Sequence, residues 1–334
     1  MSQSQPQSKL NELTSITDAL LFQDEPLKLR EAAERLHALF STTAGVFDDA
    51  GKAGTILPTG KALSPGDAAN CVLDFGRTAK FLRGVYGALL KAQEDFPDER
   101  LQVVYAGCGP FATLMVPIVN RFDPLRIGFT LIDIHRESLD SARRIVEEFG
   151  LSEYVRAYRQ ADTTSYVHDE PMHVLIIESM QRALLTEPQV AVTLNLAKQM
   201  RNSGILVPEE IVVELMSVDL SKEFGDPDPE DGTTPQKVRI PLGEVLRLSV
   251  RSSFALTSDN SFVACVIQVP PVYRHLTFTL FTRVRVFGTI EVGNDEAGIT
   301  LLCPLHDLHP SPNSDQLEFT YRLGKQPGWN YRWI

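Results

Sequence analysis

VVYAGCGPFATL, residues 103–114, runs from a buried apolar strand into a turn with glycines at 107 and 109. Glycine permits so tight a turn and lets the backbone approach a ligand closely. Downstream, strand and helix patterns alternate. FTLIDI (129–134), VRAYRQAD (155–162) and MHVLIIES (172–179) read as strands. ATLMVPIVNRF (112–122), SLDSARRIVEEFG (138–150) and PQVAVTLNLAKQM (188–200) read as helices. Such alternation predicts a parallel, Rossmann-like α/β sheet, which holds its ligands at the carboxyl ends of the strands.

Residues 1 to about 10 are polar and expected to be disordered, and Asn11 to Phe40 follows a helical pattern. A Gly-, Thr- and Pro-rich loop (Thr42–Pro65) leads to DFGRTAKFLRGVYGALLKA (74–92), a helix with Leu82, Val85, Tyr86, Leu89 and Leu90 on one stripe. Near Ile205 the texture changes to short alternating strands such as EIVVELMSV (210–218), LTFTLFTRVRV (276–286) and LEFTYRL (317–323). These predict a β-barrel or sandwich. DPDPEDGTTPQ (Asp226–Gln236) reads as a solvated acidic loop within it. The expected division is therefore 1–60, an N-terminal helical segment; 61–206, the Rossmann-like domain; and 207–334, the β-barrel-like domain.

Composition narrows the function. The chain has 334 residues, 43% hydrophobic and 22% charged, ordinary values for a soluble globular protein. No apolar run approaches the roughly 20 residues that span a bilayer, and the start lacks the pattern of a signal peptide, so a cytoplasmic location is expected. Cys71, Cys108, Cys265 and Cys303 lie far apart without CxxC spacing, indicating neither a disulfide framework nor a zinc site. A net charge of −11 argues against a nucleic-acid surface.

IESMQRALLTEP (177–188) carries the chemistry. Glu178 ends an apolar strand and Glu187 returns from the same loop. Two facing carboxylates fit a planar cation, and guanidinium matches them bidentately. The glycine turn together with Asp133, placed for ribose hydroxyls, suits two kinds of cofactor. Gly107, Gly109 and Ala112 spell the GxGxxG/A pattern, so a nicotinamide (NAD(P))-dependent oxidoreductase is the alternative from another class.

The wider layout resembles class I S-adenosylmethionine methyltransferases, and three further segments resemble the protein arginine methyltransferases. DFGRTAKF (74–81) is similar to that family's DxxRTxxF helix, IESMQRALLTE (177–187) to its double-glutamate loop, and NSGILVPEEI (202–211) to its lead into the barrel. The resemblance runs in order from about residue 65 to 215. It implies S-adenosyl-L-methionine as cofactor, S-adenosyl-L-homocysteine as product, and no metal. It assigns Arg77 to the cofactor carboxylate, Tyr105, Gly107, Cys108 and Gly109 to the methionine half, Asp133 to the ribose and Asp162 to the adenine. Glu178 and Glu187 become the catalytic pair that grips the substrate guanidinium, with Met180 and Arg182 beside it. A homodimer is implied too.

The chain departs from that family in two places. TILPTGKALSP (55–65) stands where the family has an aromatic YFxxY lid. No clear His-Trp loop is found; the nearest segments are PLHDLHP, with His306 and His309, and GWNYRW, with Trp329 and Trp333. His306 and His309 read as surface-loop residues and the tryptophans as barrel packing. A reshaped, more enclosed entrance resembles the methyltransferases that convert free L-arginine to its Nω-methyl derivative in natural-product pathways such as that of streptozotocin (antibiotic biosynthesis). An arginine-containing peptide is the alternative substrate. For free arginine, Arg182 or Lys325 is the candidate partner of the α-carboxylate. A catalytically silent scaffold is the third reading, against which the intact glutamates and glycine turn count.

Overall fold

The computed structural model describes residues 4–45, 54–225 and 234–334. Two packed helices open the chain, α1 (Ser4–Phe22) and α2 (Pro26–Ala44). The expected single helix divides because Pro26 has no N–H for a helical bond; at the first position of α2 none is needed. Residues 4–10, expected to be disordered, belong to α1. Inside the expected Thr42–Pro65 loop lies a hairpin, β1 (Thr55–Leu57) and β2 (Gly60–Ala62), while residues 46–53 fall outside the described residues. The expected break at residue 60 therefore falls within a hairpin. Short helix α3 (Pro65–Asn70) leads to α4 (Phe75–Asp95).

Five parallel strands follow: β3 (Leu101–Ala106), β4 (Ile127–Asp133), β5 (Val155–Gln160), β6 (Met172–Ile177) and β7 (Met200–Val207), in the order β5-β4-β3-β6-β7. Helix α5 (Arg136–Glu148) connects β4 to β5, and α6 (Gln189–Leu196) precedes β7. ATLMVPIVNRF, expected as a helix, is instead a series of turns closed by a short 3-10 segment at Val119–Arg121. Pro117 cannot donate to the preceding turn and Ala112 sits at φ 44, so no continuous ladder forms.

The remaining chain builds two antiparallel sheets. One joins β8 (Glu210–Val218), β9 (Arg239–Ser249), β11 (Thr277–Phe287), β12 (Ile290–Val292) and β13 (Cys303–Pro304). The other is β10 (Ser261–Gln268), β14 (Gln316–Arg322) and β15 (Gly328–Trp333), in that order. Their inner faces, including Leu246, Phe262, Phe278, Phe319 and Tyr321, merge into the same core as the Rossmann-like sheet. Most of the acidic loop, residues 226–233, lies outside the described residues. Among the described residues no helix is long and apolar enough to cross a membrane.

Helix α4 joins the two halves. Phe81, Leu82, Val85, Ala88, Leu89 and Ala92 are buried along it, and it contacts β6 and β7 as well as β11 and β12. Gly84 makes the closest approach: a Cβ there would lie 2.3 Å from Val286 Cγ1. Alanine normally gains about 1 kcal/mol over glycine inside a helix. Here the overlap outweighs that gain, so Gly84→Ala is expected to destabilise by about 1–3 kcal/mol in urea unfolding. Adding Val286→Ala should recover part of the loss; a Gly84→Ala protein more stable than wild type would contradict the packing.

Candidate active site

Register gathers the site at one sheet edge. Ala106 pairs with Ile132 and with Ile177, and Asp133 pairs with Gln160. The residues that follow these positions, Gly107, Glu178 and Asp162, therefore emerge beside Asp133 on the carboxyl side. Together with Arg77, Tyr105, Cys108, Gly109 and Glu187 they line one cleft of about 1060 Å³, counting its open mouth.

Its floor is the glycine turn. Gly107 and Gly109 adopt φ +74 and +63, and a Cβ on either would meet nothing nearer than 4.0 and 3.8 Å. Conformation, rather than crowding, selects glycine, and the cleft side of the turn stays open. Asp133 organises it: Oδ2 accepts from Gly109 N–H at 2.9 Å and Oδ1 from His135 N–H at 2.8 Å. Asp162 folds back on Thr164, accepting from its N–H and hydroxyl. Phe111, next in the turn, packs edge-on against His37 and Phe40 of α2, so the N-terminal helices back this floor. The broken segment after Gly109 also weakens the nicotinamide alternative. A dinucleotide site places its pyrophosphate on the N-terminus of the helix after the turn, and no helix starts there.

The DFGRT sequence now has a physical reading. Asp74 caps α4 by accepting from Arg77 N–H at 3.3 Å, and its other oxygen accepts from Gly298 N–H at 2.8 Å. Thr78 Oγ1 donates to Val72 O at 2.9 Å. Arg77 is thereby aimed into the cleft, where its guanidinium pairs with Glu178. Sequence resemblance gave Arg77 to the cofactor carboxylate; the structure shows it bracing one of the two glutamates.

Glu178 and Glu187 converge on this cleft, both nearly buried. Burial raises the Glu178 carboxyl above its ordinary range, against the pull of Arg77. Burial, then the negative charge of Glu178, pushes Glu187 up to about 8. Gln181 hydrogen-bonds Glu187, and Lys61 is close enough to oppose its shift. Gln189, fully buried, steadies the start of the loop: Oε1 accepts from Ser179 N–H at 3.0 Å and Nε2 donates to Ile177 O at 3.4 Å. Burial also raises the Tyr105 and Cys108 groups well above their usual values, so both are neutral.

The loop between the glutamates is strained and clamped. Ala183, Leu184 and Thr186 take φ 54, 55 and 61, a left-handed backbone that non-glycine residues seldom adopt. The second domain holds it there. Thr282 Oγ1 accepts from Ala183 N–H at 2.7 Å, Trp329 Nε1 donates to Ala183 O at 2.8 Å, and Tyr321 hydroxyl donates to Leu184 O at 2.5 Å. Pro327 O accepts from Thr186 N–H at 3.1 Å. Opposite, Lys61 N–H donates to Thr186 O at 2.8 Å, and a Cβ on Gly60 would lie 2.9 Å from Pro188 N. The hairpin thus sits on the glutamate loop, and its Leu57, Lys61 and Ala62 line the cleft where the family resemblance had no lid to offer.

Other expected residues lie elsewhere. Met180 is buried in the core and does not line the cleft. Arg182 is exposed and faces Cys303, and Lys325 is exposed. Arg182 is not among the residues that line the cleft with the glutamates. His306 and His309 are exposed. Trp333 Nε1 donates to His309 O at 2.8 Å, a packing role, whereas Trp329 reaches the glutamate loop from the barrel. No group of metal-binding side chains occurs among the described residues. Lys61, Gln189, Thr282 and Tyr321 had no role in the sequence reading, and Trp329 was expected only to pack within the barrel. The Pro58-Thr59-Gly60 turn signal, read as part of a loop, was the local mark of the hairpin; nothing local marked the rest.

No family model matches the chain, and neither does any curated protein. Solved structures do match. The Trypanosoma brucei PRMT1 enzyme–prozyme heterotetrameric complex with AdoHcy has TM-score 0.53 and 12% identity, covering 81% of this chain and 94% of that one. Protein arginine methyltransferase 10 of Arabidopsis thaliana, in an open conformation, has TM-score 0.50 and 13% identity, covering 76% and 86%. The fold is that of the arginine methyltransferases.

The raised Glu187 carboxyl has a stability consequence. Unfolded, it titrates near 4.5; folded, near 8. Between those values the native state binds the extra proton, so stability falls as pH rises, by at most about 1.4 kcal/mol per unit. The unliganded protein should therefore lose Tm between pH 5 and 8. Glu187→Gln should flatten that slope; an unchanged slope would mean that Glu187 is not held protonated.

Proposed function

We propose that this chain transfers a methyl group from S-adenosylmethionine to a terminal guanidino nitrogen of arginine, with free L-arginine as acceptor and Nω-methyl-L-arginine as product. The observation that carries the reading is the pair of nearly buried carboxylates, Glu178 and Glu187, presented by one loop into a cleft whose other end is an open glycine turn. The cleft suits the cofactor in size and chemistry. Arg77 would meet its carboxylate, Gly107 and Gly109 would let the backbone approach its methionine half, and Asp133 and Asp162 would face the ribose and adenine. When bound, the cofactor supplies an activated sulfonium methyl.

The protein's own part is positional and electrostatic. A guanidinium ion, with pKa above about 12, is a poor nucleophile because its charge is delocalised. Two carboxylates that engage it bidentately draw positive charge towards the nitrogens they touch and leave the remaining terminal nitrogen richer in electrons. Glu178 is fixed by Arg77, so the acceptor end of the site is tied to the residue assigned to the donor. Glu187 is fixed by the clamped loop and gives up its proton when a cation arrives. Because the reacting groups are held in place before reaction, most of the rate gain comes from orientation and preorganised charge. Free rather than peptidyl arginine is favoured by the hairpin, which covers the glutamate loop on the side opposite the barrel.

Incubation with labelled S-adenosylmethionine and either L-arginine or Gly-Arg-rich peptides, read by mass spectrometry, tests the assignment. Methyl transfer to the free amino acid is expected. Glu178→Gln and Glu187→Gln should each lower kcat/KM by about 100-fold or more. Label found only in peptides would overturn the choice of acceptor, and near-wild-type turnover by both variants would overturn the roles of the glutamates.

A further inference from the structure

Lys61 is the one cleft-lining residue of the hairpin that brings a charge. Its backbone is fixed, because its N–H bonds Thr186 O at 2.8 Å and Gly60 beside it is packed against the Thr186–Pro188 backbone with no space for a Cβ. The half-buried side chain lines the cleft on the Glu187 side. Among the described residues its ammonium has neither an ion pair nor a hydrogen bond, although Glu187 feels its charge. A partly desolvated ammonium without a hydrogen bond is costly in a folded protein, and a ligand anion removes that cost.

The order of charges is informative. Two carboxylates converge on the cleft, and the hairpin adds a cation to its lining. That pattern complements a ligand with a guanidinium at one end and a carboxylate a few methylenes away. We propose that Lys61 receives the carboxylate of a small ω-guanidino acid and so sets the acceptor class: free guanidino carboxylates, not arginine within a peptide, whose carboxylate is consumed in an amide. This rests on the methyl-transfer reading above and assigns the anchoring role to Lys61 in place of Arg182 and Lys325, which the fold turns away.

Initial rates with L-arginine and with agmatine, the same guanidino chain without the carboxylate, test the assignment. Wild type should prefer L-arginine in kcat/KM by at least about 30-fold. Lys61→Met should raise KM for L-arginine far more than for agmatine and bring the ratio near one, while Lys61→Arg keeps the preference. Calorimetric affinity for S-adenosylhomocysteine should be unaltered by Lys61→Met. Equal use of both acceptors by wild type would overturn the role of Lys61 while leaving guanidino methylation standing. Loss of S-adenosylhomocysteine affinity in Lys61→Met would assign the lysine to the cofactor instead. Wild-type protein that methylates neither compound would remove the underlying reading as well.

Discussion

Two carboxylates share a nearly buried cleft with one guanidinium, and that imbalance governs the site. Arg77 neutralises Glu178. Glu187, pressed by burial and by its neighbour's charge, is left to hold a proton near neutral pH. Charges this poorly solvated are expensive unless paired. Under the proposed function, a second guanidinium brought by the substrate would complete the set. Lys61 lines the same cleft but does not offset the upward shift of Glu187, so the cleft suits a further cation.

The rest of the structure keeps those two acids convergent. A parallel sheet delivers Glu178 at the same edge as the glycine turn, and Asp74 caps α4 so that Arg77 meets it. Glu187 depends on distant parts of the chain: Thr282, Tyr321 and Trp329 hold a left-handed loop that its own sequence would not favour. Without the β domain that loop would relax. The two halves are consequently one packed unit, joined through α4 and through these hydrogen bonds. Strain is located where the side chains must be aimed, as at many functional sites.

Features carried by local chemistry were readable from the sequence. Apolar runs marked the strands, glycines the turn, and the Leu82–Leu90 stripe the helix that presents Arg77, whereas its Asp74 cap emerged only from the structure. Errors arose where one residue overrode a pattern: Pro26 divided a helical stretch, while Pro117 and Ala112 prevented another helix. Met180 and Arg182 were assigned by position in a motif, but one is buried in the core and the other lies exposed to solvent. Lys61 and the barrel clamps could not be read locally, since their roles depend on contacts made by segments tens to more than a hundred residues away.

Proton release on substrate binding tests the central claim most directly. With S-adenosylhomocysteine present, L-arginine can be titrated at pH 7 in buffers of different ionisation enthalpy, and the slope of heat against that enthalpy counts protons. The account requires release approaching one proton per arginine in the native protein, and close to none in Glu187→Gln. Binding without proton exchange in the native protein would show that Glu187 is already charged, and the electrostatic basis of the site would be wrong.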